Sequence, residues 1–248
     1  MSSSPSLMLA ASQSIPVKAF AVSAQEHPYA YISLASNPIK TPQDMVGKKV
    51  GIQATGKVLL NALLKKAGIP ESDVEVVILG ADMTPLLTGQ VDAATGWLTN
   101  TTAIAALGQE IHAMKLWDHG VQLYGNPYYA TTDTLENDPE LVAKFLKAAG
   151  KGWEYAHANP EAAVDLLLKD FPNLVRDDEI AASKVLLAHI FTPATKAGGW
   201  GTMDPAVWQG QISLYEELQQ FSAGAPKLES VIAMGPLEAT TADRPKLG

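Results

Sequence analysis

The chain contains no cysteine and only two arginines, Arg176 and Arg244. Without thiols there is no thiolate nucleophile, no disulfide and no thiolate metal site, and the lack is neutral on compartment. No apolar run approaches the roughly 20 residues of a membrane span. Basic charge is sparse: the formal net charge is −8 over 248 residues. That argues against nucleic-acid binding, which leaves a basic patch on a basic domain. Lysines are scattered, as at Lys48-Lys49 and Lys65-Lys66, and read as solvated faces. His112, His119, His157 and His189 show no metal-ligand spacing. No nucleophile-elbow sequence surrounds any serine. No catalytic residue, cofactor or metal is therefore expected. The opening Met1-Ser2-Ser3-Ser4-Pro5 lacks the charged and apolar regions of a secretory signal.

What is present is an ordinary globular composition, 47% hydrophobic and 18% charged, with ample length for a core. Strands are expected at Val17–Ser23 and at Tyr29–Ala35, an alternating aromatic and β-branched run. Between Val50 and Leu107 the pattern becomes β-α-β-α-β. Val50–Gln53 is a short strand, and Lys57–Ala67 a helix with Leu59, Leu60, Leu63 and Leu64 on one face, stopped by Gly68. Val74–Leu79 reads as a central parallel strand, Val91–Thr95 as another, and Thr99–Leu107 as a helix. That rhythm predicts a parallel sheet with helices on both faces. After a strand at Leu123–Thr131 the chain turns helical, with starts marked by Asp138-Pro139, Asn159-Pro160 and Asp204-Pro205. Leu141, Phe145, Ala149, Trp153 and Ala156 keep the spacing of a core face. Ala239–Gly248 reads as a loosely held tail.

Two stretches carry most of the functional signal. Ile39-Lys40-Thr41-Pro42-Gln43-Asp44-Met45-Val46-Gly47-Lys48-Lys49-Val50-Gly51 is a capped turn followed by a strand, which leads through Gln53, Thr55 and Gly56 into a helix. Such a loop turns backbone N–H groups and the positive helix end toward a polar or anionic group. The bland alternative is an ordinary strand-to-helix turn. Gly51 to Val58 is one residue short of a phosphate loop, but Val58 stands where a hydroxyl must hold Mg²⁺, so nucleotide hydrolysis is set aside. Gly89-Gln90-Val91-Asp92-Ala93-Ala94-Thr95-Gly96-Trp97 is the second stretch. Trp97 ends its strand as either a stacking wall or a core anchor, and the flanking Gly96 and Asn100 favour a cleft. Thr99 reads as the cap of the next helix. Tyr124, Asn126 and Tyr128 alternate along a strand and would share one face, with Tyr129 on the other. The alternative is a packed strand with tyrosine tips at the surface.

The first stretch, then Ala67-Gly68-Ile69, then Gly89-Gln90-Val91-Asp92-Ala93, resembles the solute-binding proteins of ABC importers. It is most similar to the branch for nitrate, sulfonates, taurine and thiamine-pyrimidine precursors, from about Pro5 to Trp208. The resemblance implies a two-lobed α/β protein of the type II periplasmic-binding class, with parallel-sheet lobes and helices on both faces. Lobe two would be residues 36–123, inserted into a lobe one of residues 1–35 and 124–248. It also implies that the chain is N-terminally shortened, so that lobe one is incomplete. The implied partners are a small-molecule solute and a membrane permease, with no nucleic acid; the protein would be periplasmic and monomeric. Gln25 and His27, in a loop between lobe-one strands, become solute contacts on the family's pattern, as does the Ser3 hydroxyl in Ser2-Ser3-Ser4. Trp97 sits where the family commonly faces its solute. The lack of cysteine separates the chain from the related pyrimidine synthases. The lack of an arginine pair near the cleft favours a neutral heterocycle, such as a pyrimidine precursor, over a sulfonate or nitrate. The expected function is non-catalytic binding of a small organic solute for import. The alternatives are an enzyme of pyrimidine or thiamine-precursor metabolism using the same cleft, and a sensory module on the same lobes.

Overall fold

The computed structural model describes residues 3–248; Ser2, of the serine run, lies outside them. The chain divides into two compact units, Met1–His27 with Leu123–Gly248, and Pro28–Gln122. Unit one opens with α1 (Ser4–Ser12) and β1 (Val17–Ala24). Unit two carries β2 (Tyr29–Leu34), β3 (Lys49–Ile52), α2 (Lys57–Ala67), β4 (Glu75–Ile78), α3 (Thr84–Leu87), β5 (Ala93–Trp97), α4 (Thr101–Ala105) and β6 (Ile111–Lys115). Unit one resumes with β7 (Gly125–Thr131), α5 (Thr132–Asn137), α6 (Pro139–Ala158), α7 (Pro160–Asp170), α8 (Arg176–Ile190) and α9 (Pro193–Gly198). It ends with α10 (Pro205–Glu217), α11 (Leu228–Val231) and α12 (Gly235–Ala239).

Unit two holds a five-stranded sheet in the order β4-β3-β5-β2-β6. β3 runs parallel to β4 and β5, while β2 is antiparallel to β5 and β6. The parallel part follows from helical crossovers. The strand Tyr29–Leu34, expected in lobe one, belongs here because both of its edges are hydrogen-bonded within this sheet. Gly51 and Gly96 let neighbours pack onto the sheet: a Cβ on Gly51 would overlap Leu79, and one on Gly96 would overlap Met83. Ile32, Met83, Leu86, Val91, Ala94 and Leu107 form a core cluster. α2 has the expected bounds, ends at Gly68 with φ +69°, and buries Leu60, Ala62, Leu63 and Leu64. β4 corrects the expectation of a central strand. It is an edge, with Val76 and Ile78 substantially exposed.

Among the described residues, the named strands of unit one form one antiparallel ladder, β1 with β7, and parallel pairing is limited to an isolated bridge from Ala19 to Ile232; the parallel sheet expected for this lobe is not formed. Ala19 faces Tyr129 and Ala21 faces Tyr128, so Phe20 is an extra residue, a bulge that re-aims its side chain. Helices supply the rest. Proline opens α6, α7 and α10 as expected, but only Asp204 caps its helix, accepting from the Ala206 N–H at 2.8 Å; Asp138 and Asn159 make no side-chain cap bond. The buried face of α6 is Val142, Leu146 and Gly150, one position round from the one expected; Leu141 and Phe145 are exposed.

The glycine-rich turn Gly198-Gly199-Trp200-Gly201 is a core anchor, since Trp200 is fully buried. The C-terminal residues are tied down, contrary to expectation. Arg244 is buried and donates to the carbonyls of Gly199, Trp200 and Leu237. Trp200 N–H donates to the Pro245 carbonyl at 2.8 Å, and Thr195 Oγ1 to that of Leu247 at 2.8 Å. His27 is half-buried, near His189. Its N–H donates to the Leu123 carbonyl at 3.1 Å, joining the residues where the chain leaves and re-enters the unit. Burial, then the neighbouring His189, lowers its pKa to about 4.

Replacing Arg244 with Ala removes the side-chain donor to the Trp200 carbonyl and one of several donors to the carbonyls of Gly199 and Leu237, and should lower unfolding free energy by about 2 kcal/mol in urea titrations. Tyr31 is fully buried, and its hydroxyl has no hydrogen-bond partner among the described residues. Tyr31→Phe removes an unsatisfied polar atom, so its urea midpoint should be unchanged or higher. For His27, the unfolded chain (pKa near 6.5) takes up a proton before the folded one does. Stability is therefore full above pH 6.5 and falls as pH drops toward 4, by about 3 kcal/mol in all. His27→Gln should flatten that segment of a stability–pH curve.

Candidate functional site

Unit two gathers a group of polar and aromatic residues at one edge of its sheet. β3 and β5 are parallel neighbours, so their carboxyl ends lie side by side, the end at which α/β sheets bind ligands. From β3, Gln53 is the single extended residue before the chain turns into a short 3-10 segment, Ala54–Gly56, continuous with α2. Ala54 and Thr55 thus head the helix, where amides have no acceptor further back along it. Thr55 is exposed and Gln53 half-buried. This tight start also disposes of the phosphate-loop likeness: Gly51 lies within β3 under Leu79, and no wide loop separates it from the helix.

At the end of β5, Trp97 is 42% exposed. Its ring meets Tyr29 edge-on, with centroids 5.8 Å apart and planes at 77°, and the two residues are directly paired across β2 and β5. Tyr29 is buried, and its hydroxyl lies against Gly56 so closely that a Cβ on that glycine would overlap it. Burial raises the phenol pKa, opposed by a hydrogen bond to Thr95. The Thr95 hydroxyl also accepts from the Gln53 N–H at 3.4 Å. Tyr29 therefore links Trp97, Thr95 and the α2 start. It was not singled out from the sequence; the alternation of Tyr29 and Tyr31 marked a strand but could not give the register.

The structure thus brings together Gln53, Thr55, Gly56 and Trp97. Asn100, not Thr99, caps α4: its Oδ1 accepts from the Ala103 N–H at 3.4 Å. It remains exposed and one turn from Trp97, whose carbonyl accepts from the Asn100 N–H at 2.8 Å.

The candidates in unit one are not gathered in the same way. Ser3 caps α1, accepting from the Ser6 N–H at 3.2 Å. Gln25 is buried, and its amide donates to the Thr202 carbonyl at 2.8 Å. Tyr124 is buried against Trp208, its hydroxyl accepts from the Asp204 N–H at 2.8 Å, and burial raises its pKa to about 12. Each of these three polar tips already makes one hydrogen bond within the unit. The shared face of Tyr124, Asn126 and Tyr128 is not formed. Asn126 is exposed at φ +50°, a left-handed conformation that breaks strand alternation. Tyr128 is half-buried against Phe20, Phe145 and Trp200. Both arginines are engaged: Arg176 by Asp165 and Glu161, and Arg244 by carbonyls.

Several known proteins are similar to the chain. The formylaminopyrimidine-binding protein of Halalkalibacterium halodurans is 26% identical over 86% of this chain and 67% of its own length. The riboflavin-binding protein RibY of Chloroflexus aurantiacus is 28% identical over 83% and 61%. A 4-amino-5-hydroxymethyl-2-methylpyrimidine phosphate synthase of Legionella pneumophila is 29% identical over 64% and 52%. The chain therefore spans between about half and two thirds of these relatives. Among solved structures, the periplasmic aliphatic sulphonate binding protein SsuA of Escherichia coli superimposes with a TM-score of 0.69. It has 18% identity and covers 93% of this chain and 78% of its own, so the fold is the α/β fold of periplasmic binding proteins. Residues 1–163 match the NMT1/THI5 like family, and the chain belongs to that family.

Proposed function

We propose that this chain is a non-catalytic solute-binding protein: it holds a small organic solute and delivers it to the permease of an ABC importer. The observation that carries this reading is the Trp97 indole, 42% exposed yet held edge-on by Tyr29, at the sheet edge where α2 begins. An exposed flat ring fixed by a buried one is a stacking plate prepared before the ligand arrives. Beside it, the amides heading α2, the Thr55 hydroxyl and the Gln53 amide offer donors to a polar substituent. Asn100 offers an amide one turn away.

The solute class proposed is a neutral aromatic heterocycle, such as a pyrimidine precursor. Two relatives are named for binding a formylaminopyrimidine and riboflavin, both built on such rings. Arg176 and Arg244, the side chains best suited to an oxyanion, are held by carboxylates and carbonyls in unit one. On this reading the chain works in the periplasm, as a monomer; none of its described helices is long and apolar enough to cross a membrane. The synthase name of the Legionella relative motivates a second reading, an enzyme acting on the same heterocycles. A chain without cysteine has no thiol route to that chemistry.

A thermal-shift screen of aminopyrimidines and flavins should yield a stabilising solute, and mass spectrometry should recover it unaltered after prolonged incubation; turnover would favour the enzyme reading. Calorimetry with that solute should show Trp97→Ala weakening binding at least tenfold, about 1.4 kcal/mol. Gly56→Ala should weaken it as well. The residue has an ordinary helical backbone (φ −82°), so the added methyl acts by displacing Tyr29 and, through it, Trp97. Unchanged affinity in Trp97→Ala would place the solute elsewhere.

A further inference from the structure

We propose that the groove between the β1–β7 ladder and α6 in unit one is a separate ligand site, for an uncharged planar aromatic molecule carrying a hydrogen-bond acceptor. The groove has a volume of about 540 Å³ and is lined by Phe20, Tyr128, Tyr129, Thr134, Leu141 and Phe145, together with two small or buried apolar residues. That volume lies within the range of small-molecule sites. None of these residues belongs to the Trp97 group, so the proposal does not rest on the function proposed above.

Its floor is made by the β1 bulge. The extra residue, Phe20, lies 6.4 Å from the Tyr128 ring at 35° and 6.1 Å from Phe145 at 83°. Phe145 in turn meets Tyr128 at 5.4 Å and 64°. Tyr128 is backed by Trp200 at 5.7 Å, and Trp200 is fully buried, so the floor is fixed. The rings therefore present both faces and edges, the two surfaces that a flat aromatic guest meets in stacked and edge-to-face contact. The wall is Leu141 and Phe145, 60% and 44% exposed on a helix that buries Val142, Leu146 and Gly150.

The lining selects against charge. No acidic or basic side chain is among the residues that form the groove, so an ion entering it would lose hydration without gaining a counter-charge. Hydroxyls of Tyr128, Tyr129 and Thr134 are the polar groups of the lining, and that of Thr134 is paired with Thr131 Oγ1 at 2.8 Å. The Tyr128 hydroxyl accepts a hydrogen bond from Trp153 Nε1 at 3.3 Å, and as a phenol it retains its own proton to donate. An acceptor atom on the guest, such as a ring nitrogen or a carbonyl, matches that donor.

Fluorescence titration of the full chain with N-phenyl-1-naphthylamine should show saturable binding at one site. Phe145→Ser and Leu141→Asp, both at exposed positions, should weaken it at least tenfold, and Trp97→Ala should not. In displacement, quinoline should compete better than naphthalene, which has the same shape without the acceptor, and 2-naphthoate should compete worse than either. Tyr128→Phe should remove the advantage of quinoline over naphthalene while naphthalene still competes. Equal binding by the groove variants would overturn the proposal, as would equal competition by quinoline and naphthalene in the unaltered chain. A concentration-dependent dimer in sedimentation, made monomeric by Leu141→Asp, would overturn it in favour of a second copy of the chain as occupant.

Discussion

Unit two is organised around the contact of one phenol with a residue that has no side chain. Tyr29 sits where β2 pairs with β5, and its hydroxyl fills the space that a Cβ on Gly56 would occupy. That single contact joins an antiparallel strand to the first turn of α2, and sets the distance between the helix start and the sheet. Thr95 extends the link by accepting from the Gln53 N–H and hydrogen-bonding the phenol. Because Tyr29 is buried on both sides, Trp97 can be left with much of its surface in water and still keep one orientation. Rigidity comes from the buried ring, and access from the exposed one. A flexible tryptophan would lose rotamer freedom on stacking; this one has already given it up.

How much of this was legible in the sequence differs between the units. The bounds of α2 were readable to the residue, because a run of leucines at helical spacing closed by a glycine leaves few alternatives. The prolines opening α6, α7 and α10 were readable for the same local reason. β4 was misread because Val76, Val77 and Ile78 look like a buried strand, and only the sheet order shows them at an edge. β6, with His112 and Lys115 among its five residues, gave no apolar alternation to find. Tyr29 could not be placed, because strand register is decided by pairing partners far away in sequence. The grouping of Gln53, Thr55, Gly56 and Trp97 was within reach, since strand ends in a parallel sheet share an edge whatever the details.

In unit one, local patterns misled more often, and for one reason: buried polar atoms there find partners that sequence distance hides. Gln25 looks like a loop amide until its bond to the Thr202 carbonyl, 177 residues on, is seen. Tyr124 looks like a strand-face aromatic, but its hydroxyl holds the backbone that opens α10. Arg244, near the end of a polar tail, donates to three carbonyls around Trp200, those of Gly199, Trp200 and Leu237. Polar side chains near a presumed cleft are thus ambiguous from sequence, because satisfying backbone groups and contacting a solute call for the same residue types.

The same contrast bears on which unit supplies specificity. Solute discrimination by hydrogen bonding needs donors whose loss leaves them unpaired, since that is what penalises the wrong guest. In unit one Ser3, Gln25 and Tyr124 each already commit one hydrogen bond within the unit. In unit two the first amides of a helix have no acceptor along the helix, and a solute acceptor there replaces only water. Discrimination by shape needs a surface that does not yield, and the Tyr29–Trp97 pair provides it. Both requirements meet at one sheet edge of the smaller unit, where the strand ends and the helix start are set by backbone pairing and by Tyr29 against Gly56.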